Sequence, residues 1–239
     1  MTTKIFKRKS GRKFNEMRKM SAEVGVIANA DGSARFSWTG PDGKMTNAIA
    51  AVYGPKKMHP QHLQDPEKGT LRCTYNMMSF SVEDRIRPGP NRRSTEISKI
   101  IQWALEPVLM IDKYSNMVID VHMNIMDANA STRCAAINAA AMALAHAGIP
   151  MKDIVSSVSI GKLDKDLVVD VDKYEDSVFD DGEGASDIPM TFTSNGEMTH
   201  IQIDGNIDKK QLMEAVALAQ EACKEIYEVQ KKALKEVVK

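Results

Sequence analysis

Aromatic rings are scarce in this sequence. Two tryptophans, five tyrosines and six phenylalanines make up 5% of 239 residues, which excludes a core built on stacked rings. Sixteen methionines point instead to an aliphatic, thioether-filled interior. Cysteine is limited to Cys73, Cys134 and Cys223, with no CxxC spacing. That excludes a disulfide framework and a cysteine-based zinc site, and it suits a reduced, cytoplasmic protein. No apolar run is long enough to cross a bilayer: the least polar, residues 134–151, is alanine-rich and carries Asn138 and His146. The N-terminus is charged and lacks the apolar segment of a signal peptide, so no membrane partner is expected. Net charge is lacking too, since 32 basic residues balance 32 acidic ones, and bulk electrostatics do not draw the chain to nucleic acid. The Walker loop, GxGxxG and GxSxG are all missing, which removes P-loop hydrolysis and serine hydrolase chemistry.

What the chain does have is local charge. Residues 1–20 form a basic N-terminal segment, with eight basic residues against Glu16 alone, ahead of a globular domain over 21–239. Residues 164–187 hold ten acids against Lys165 and Lys173, and Lys56 to Arg93 is a second basic stretch. Opposite patches in one neutral chain suggest polyanion handling or subunit docking.

Hydrophobic periodicity places strands at Ala22–Ile27, Ala34–Trp38, Ala48–Tyr53 and Leu71–Met78, with Asp31-Gly32 and Asp42-Gly43 as hairpin turns. Helical spacing follows from Ile97 to Leu109, capped by Asn91 or Ser94. A cleanly alternating strand, Ile119–Ile125, leads through a polar loop to the alanine-rich helix Thr132–Ala147, whose composition implies close helix–sheet approach. Strands at Ile154–Ile160 and Leu167–Val171, an acidic loop, and strands at Ile188–Thr193 and Met198–Ile203 precede a last helix opened by Asp208 and Gln211. This is an α+β pattern, strands then a helix in each half, compatible with two βα lobes.

Three places carry chemistry. Arg92 and Arg93 sit at a helix N-terminus, where the macrodipole disfavours cations, so they need an anion nearby. Asn129-Ala130-Ser131-Thr132-Arg133 joins a strand to a helix and gathers backbone N–H groups, two hydroxyls and a guanidinium, an anion-binding arrangement. The acidic stretch from Glu175-Asp176 through Asp180-Asp181 ends at Asp187, which borders an apolar run and is therefore fixed at a strand edge. Such a carboxylate serves as a general acid or a magnesium ligand.

These residues, with Ala50-Ala51-Val52-Tyr53-Gly54-Pro55, Pro88-Gly89-Pro90, the AHAGIPM segment of residues 145–151 and Asp187-Ile188-Pro189-Met190, resemble the RNase PH family, in particular the catalytic subunits of archaeal exosomes. The match is colinear from about residue 11 to 235. The resemblance implies a ribosomal-protein-S5-domain-2-like fold. It also implies phosphorolysis of single-stranded RNA from the 3′ end, with inorganic phosphate as co-substrate and nucleoside diphosphates as product. Arg92 and Arg93 match RNA-backbone arginines, Lys68 matches a basic residue of the pore neck, and Arg72 is grouped with these RNA-binding residues. Ser131, Thr132 and Arg133 match the phosphate-binding turn, and Asp187 the catalytic carboxylate, with magnesium possible at Asp181 and Asp187. Either Asp176, by its neighbours, or Asp181, by its spacing, is the second carboxylate. The family usually has glycine where this chain has Ser131. Implied partners are a homologous RNase PH-like subunit in a hexameric exosome ring and RNA-binding cap subunits. A non-catalytic RNA-binding ring subunit is the alternative.

Overall fold

A computed structural model describes residues 8–163, 166–179 and 186–237. Asp180 and Asp181 lie outside the described residues. The chain forms two sheets. In the first, β1 (Lys19–Val24), β2 (Gly32–Thr39), β3 (Met45–Lys57), β4 (Thr70–Met77) and β5 (Met117–Asp127) are ordered β1-β2-β3-β5-β4, with β4 parallel to β5 and the other pairs antiparallel. In the second, β6 (Val155–Leu163), β7 (Asp166–Val169), β8 (Ser186–Thr193) and β9 (Met198–Ile201) are antiparallel in the order β7-β6-β8-β9.

The helices are α1 (Arg92–Leu105), α2 (Thr132–His146), α3 (Lys173–Phe179) and α4 (Lys209–Val237). α2 contacts β2, β3 and β5 on one side and β6 and β8 on the other, so it lies between the sheets. A helix in that position must be apolar all round, and its alanine run is buried from Cys134 to Leu144. The alanines permit close approach. A Cβ on Gly32 would stand 2.4 Å from the Ala143 carbonyl oxygen, so this glycine, expected to serve a hairpin turn, is needed inside β2 for contact with α2. α1 covers β4, while α4 packs on β6, β7, β8 and also β1. One continuous core joins the halves, from Phe36 and Val121 to Ile160 and Met190.

Several elements differ from the periodicity reading. β1 ends at Val24 rather than Ile27, because Gly25 takes a left-handed φ of 75°. α1 ends at Leu105 rather than Leu109, and a 3₁₀ turn over Glu106–Val108 accommodates Pro107. The acidic stretch is partly helical. Asp172 accepts from the Glu175 N–H at 3.0 Å and Glu175 from the Asp172 N–H at 3.1 Å, a capping box that starts α3.

The opposite charge patches, expected to face polyanions or other subunits, pair in part with each other. Arg8, Arg12, Arg18, Asp170 and Glu175 are all buried. Arg8 donates to both Glu175 oxygens, at 2.7 and 3.0 Å, and to the carbonyls of Val169 and Asp170. Arg18 grips both oxygens of Asp170, at 2.8 and 2.6 Å, and Arg12 bridges Asp170 and Asp172. Ions taken out of water persist only with such complete pairing. The described part of the basic segment is thus built into the second sheet's edge rather than hanging free.

Candidate active site

The N-terminus of α1 is capped by Asn91, which accepts from the Ser94 N–H at 2.8 Å while the Ser94 hydroxyl accepts from the Asn91 N–H at 2.9 Å. The backbone is therefore satisfied without the arginines. Arg92 and Arg93 are exposed, the first turn contains no acid, and neither guanidinium has a hydrogen bond or ion pair among the described residues. Two cations beside the positive end of a helix dipole await an anion.

The N-terminus of α2 is left open in a different way. Ala130 and Ser131 both take left-handed backbone angles, φ 59° and 55°, and no side chain caps the helix. Ser131 instead donates from Oγ to the Val171 carbonyl at 3.1 Å. The first turn, Thr132 to Cys134, thus borders a cavity with no side-chain cap, the arrangement that binds anions. The left-handed φ explains why glycine suits position 131, and serine holds the same conformation here. Thr132 is turned inward, where its hydroxyl accepts from the buried Tyr75 OH at 2.9 Å.

Both helix starts open on one cavity of about 160 Å³, lined by Arg93, Ser131, Arg133, Ser159, Asp176 and Asp187, with Lys173 at its edge. Asp187 stands at the start of β8 opposite Gly161 of β6, tied to Asp204 by two backbone hydrogen bonds. Its carboxylate accepts from the Ser159 hydroxyl. Burial raises its pKa, as does nearby Asp204, against the lowering pull of Ser159, Arg133 and Arg93. Arg133 is oriented by Gln202, which accepts from its Nη1. Next to it, burial and the Arg133 charge lower the His200 pKa to about 4, so this ring is neutral at physiological pH.

The structure thus brings together Arg93, Ser131, Thr132, Arg133, Asp176 and Asp187, from segments far apart in the chain. Glu175, which neighbours Asp176, is spent on Arg8. Three expected residues do not line it: Arg92, exposed beside Arg93 at the start of α1, and Arg72 and Lys68. Arg72, on β4, is forked onto Asp120 at 2.6 and 2.8 Å, and Lys56 reaches the same carboxylate at 2.7 Å. Lys68 precedes β4, whose far end, Met77, borders the cavity, so roughly 20 Å of strand separates them. Ser159, Gln202 and Lys173 were not identified from sequence. Ser159 had a signal, because Ser156, Ser157 and Ser159 are polar in an otherwise buried strand. Among the described residues no group of three or more His, Cys, Asp or Glu side chains could hold a metal. Asp176 and Asp187 are two oxygen donors of the kind magnesium takes, to which substrate phosphates would add.

Comparison with known proteins identifies the family. Residues 16–150 match domain 1 of the 3′ exoribonuclease family and residues 153–222 match its domain 2. The exosome complex component Rrp41 of Thermococcus kodakarensis is 47% identical over 96% of this chain and 89% of its own length. Its counterpart from Methanopyrus kandleri is 42% identical over 96% and 92%. Rice Rrp46 superposes with a TM-score of 0.80 at 22% identity, covering 95% of this chain and all of the other. An Archaeoglobus fulgidus exosome chain, from a structure with RNA bound to the active site, gives 0.78 at 21% identity over 93% and 92%. With both family domains matched in order along a two-sheet fold, the chain belongs to the 3′ exoribonuclease, or RNase PH, family.

Proposed function

We propose that this chain is the active subunit of an exosome ring and degrades single-stranded RNA from the 3′ end by phosphorolysis. The observation that carries the reading is the meeting of Arg93 at the start of α1, the uncapped start of α2 and a carboxylate of raised pKa in one cavity. Attack of phosphate on a phosphodiester brings two anions together, so the site must supply positive charge and position rather than a nucleophilic side chain.

Arg92 and Arg93 hold the RNA backbone. The open N-terminus of α2, with Ser131, Thr132 and Arg133, holds inorganic phosphate. A phosphate oxygen bonds to the terminal phosphorus and the bond to the 3′ oxygen of the preceding nucleotide breaks. That oxygen takes the proton from Asp187, and the nucleoside diphosphate departs. The raised pKa of Asp187 supports the acid role. Asp176, which lines the cavity, is taken as its companion, Asp181 lying outside the described residues. In its ionised form Asp187 would instead form, with Asp176, the pair of oxygen donors that holds magnesium, whose charge would screen the phosphates.

The partners we propose are a homologous subunit alternating in a hexameric ring and RNA-binding caps, in keeping with the exosome names of the relatives. The free cysteines and the lack of any helix long and apolar enough to cross a membrane, among the described residues, accord with a cytoplasmic site of action. The chain mixed with its homologous subunit should release nucleoside diphosphates from polyadenylate only when phosphate is present. Release of monophosphates, or none under either condition, overturns the reading.

A further inference from the structure

The turn that joins β5 to α2 holds two consecutive non-glycine residues, Ala130 and Ser131, in left-handed conformations. Such a pair persists only where the surroundings over-determine it. Here they do. Arg18 donates from Nη1 to the Asn129 carbonyl at 2.6 Å. The buried Thr46 hydroxyl donates to the Ala130 carbonyl at 2.8 Å and accepts from the Asn129 N–H at 3.0 Å. Asn129 Oδ1 in turn accepts from the Lys173 N–H at 3.3 Å, which links the turn to the start of α3. The first sheet, the N-terminal segment and the β7–α3 connection therefore meet at three consecutive residues.

Neither Arg18 nor Thr46 lines the cavity. The charge of Arg18 is neutralised by both oxygens of Asp170, so it is not available to a bound anion. We propose that Arg18 and Thr46 are positioning residues, which fix the Asn129–Ser131 turn so that the open end of α2 is pre-set for inorganic phosphate. The proposal rests on the reading of that turn as the phosphate site. It assigns the buried part of the basic N-terminal segment a role in affinity for the attacking anion, without contact to it. A lysine at position 18 keeps the charge but loses the fork, and a point donor cannot serve Asp170 and the Asn129 carbonyl together.

Three variants of the full chain test this: Thr46→Val, Thr46→Ser and Arg18→Lys. Phosphate binding is read directly, as the rise in melting temperature with inorganic phosphate, and in the assembled complex as the half-saturating phosphate concentration. RNA affinity is read separately, without phosphate. Thr46→Val and Arg18→Lys should raise the phosphate requirement by about tenfold or more and leave RNA affinity within about twofold, while Thr46→Ser stays near the parent. A folded Thr46→Val chain with the parent's phosphate requirement, or with RNA affinity falling in parallel, overturns the proposal. Should Arg18→Lys fail to fold, the threonine pair decides alone. A parent that binds phosphate but releases no diphosphate defeats the proposed function, and the melting measurement still judges the positioning role.

Discussion

Two sets of arginines in this molecule follow opposite rules. Arg8, Arg12 and Arg18 are buried and matched to Asp170, Asp172 and Glu175, whereas Arg92 and Arg93 are exposed at a helix start with no acid in the turn. The first set has its charge cancelled within the chain and contributes shape. The second keeps its charge for something outside. Position along a charged sequence does not separate these roles; the availability of buried carboxylates does.

The expected effects can be ranked along that contrast. The largest belongs to the carboxylate of the cavity that Arg93 lines. Asp187→Ala should lower phosphate-dependent diphosphate release by about a hundredfold or more, the usual scale for a general acid. Because the acid form donates, release by the parent should also fall as pH rises through the raised pKa of Asp187, and pH–rate profiles check this. The melting temperature of Asp187→Ala at neutral pH should hold or rise, since a carboxyl whose pKa is raised by burial costs stability as pH rises.

Next comes the paired set. Asp170→Asn leaves Arg18 buried without its counter-charge and should destabilise the fold by about 3–5 kcal/mol in urea titrations. The pH dependence has a definite sign. Burial alone would raise the Asp170 pKa, but Arg18 and Arg12 hold it below the ordinary 3.8. Its stabilisation is therefore full above that pH and is lost as pH falls through the native value, a loss the asparagine variant should not show.

The unpaired set should behave in reverse. Replacing Arg92 and Arg93 together by alanine should weaken single-stranded RNA binding and reduce the salt slope of log affinity by about 0.7 per lost phosphate contact. Stability should stay level or rise by about 0.3–1 kcal/mol per cation removed from the helix start, measured by thermal melting. The smallest effect is expected at Ala130, where glycine should relieve the left-handed backbone and stabilise the chain by about 1 kcal/mol.

Much of this is legible in the sequence. Alternation marks β5, and the alanine run marks a helix in close approach to a sheet, although not that it is covered on both sides. Arg93, Arg133 and Asp187 were each placed at element boundaries by local spacing, which is what brought them to one cavity. What stayed hidden depends on partners distant in sequence. Nothing near Arg8 reveals Glu175, 167 residues away, so the basic segment read as a solvent-facing patch. Gly32 read as a turn residue because its neighbour is aspartate, and only the packed helix shows why no side chain is tolerated there. Arg72 looked available for RNA until Asp120, on the adjacent strand, was seen to hold it.

The seam at Gly32 touches Ala143 and Ala147, at the far end of the helix whose other end opens the cavity. A fifteen-residue helix spans about 22 Å, and α2 is packed on both sides throughout that length. A bulky replacement in β2 would misalign the anion pocket from the opposite end of the molecule, and screens for loss of activity should return changes there with no chemistry of their own.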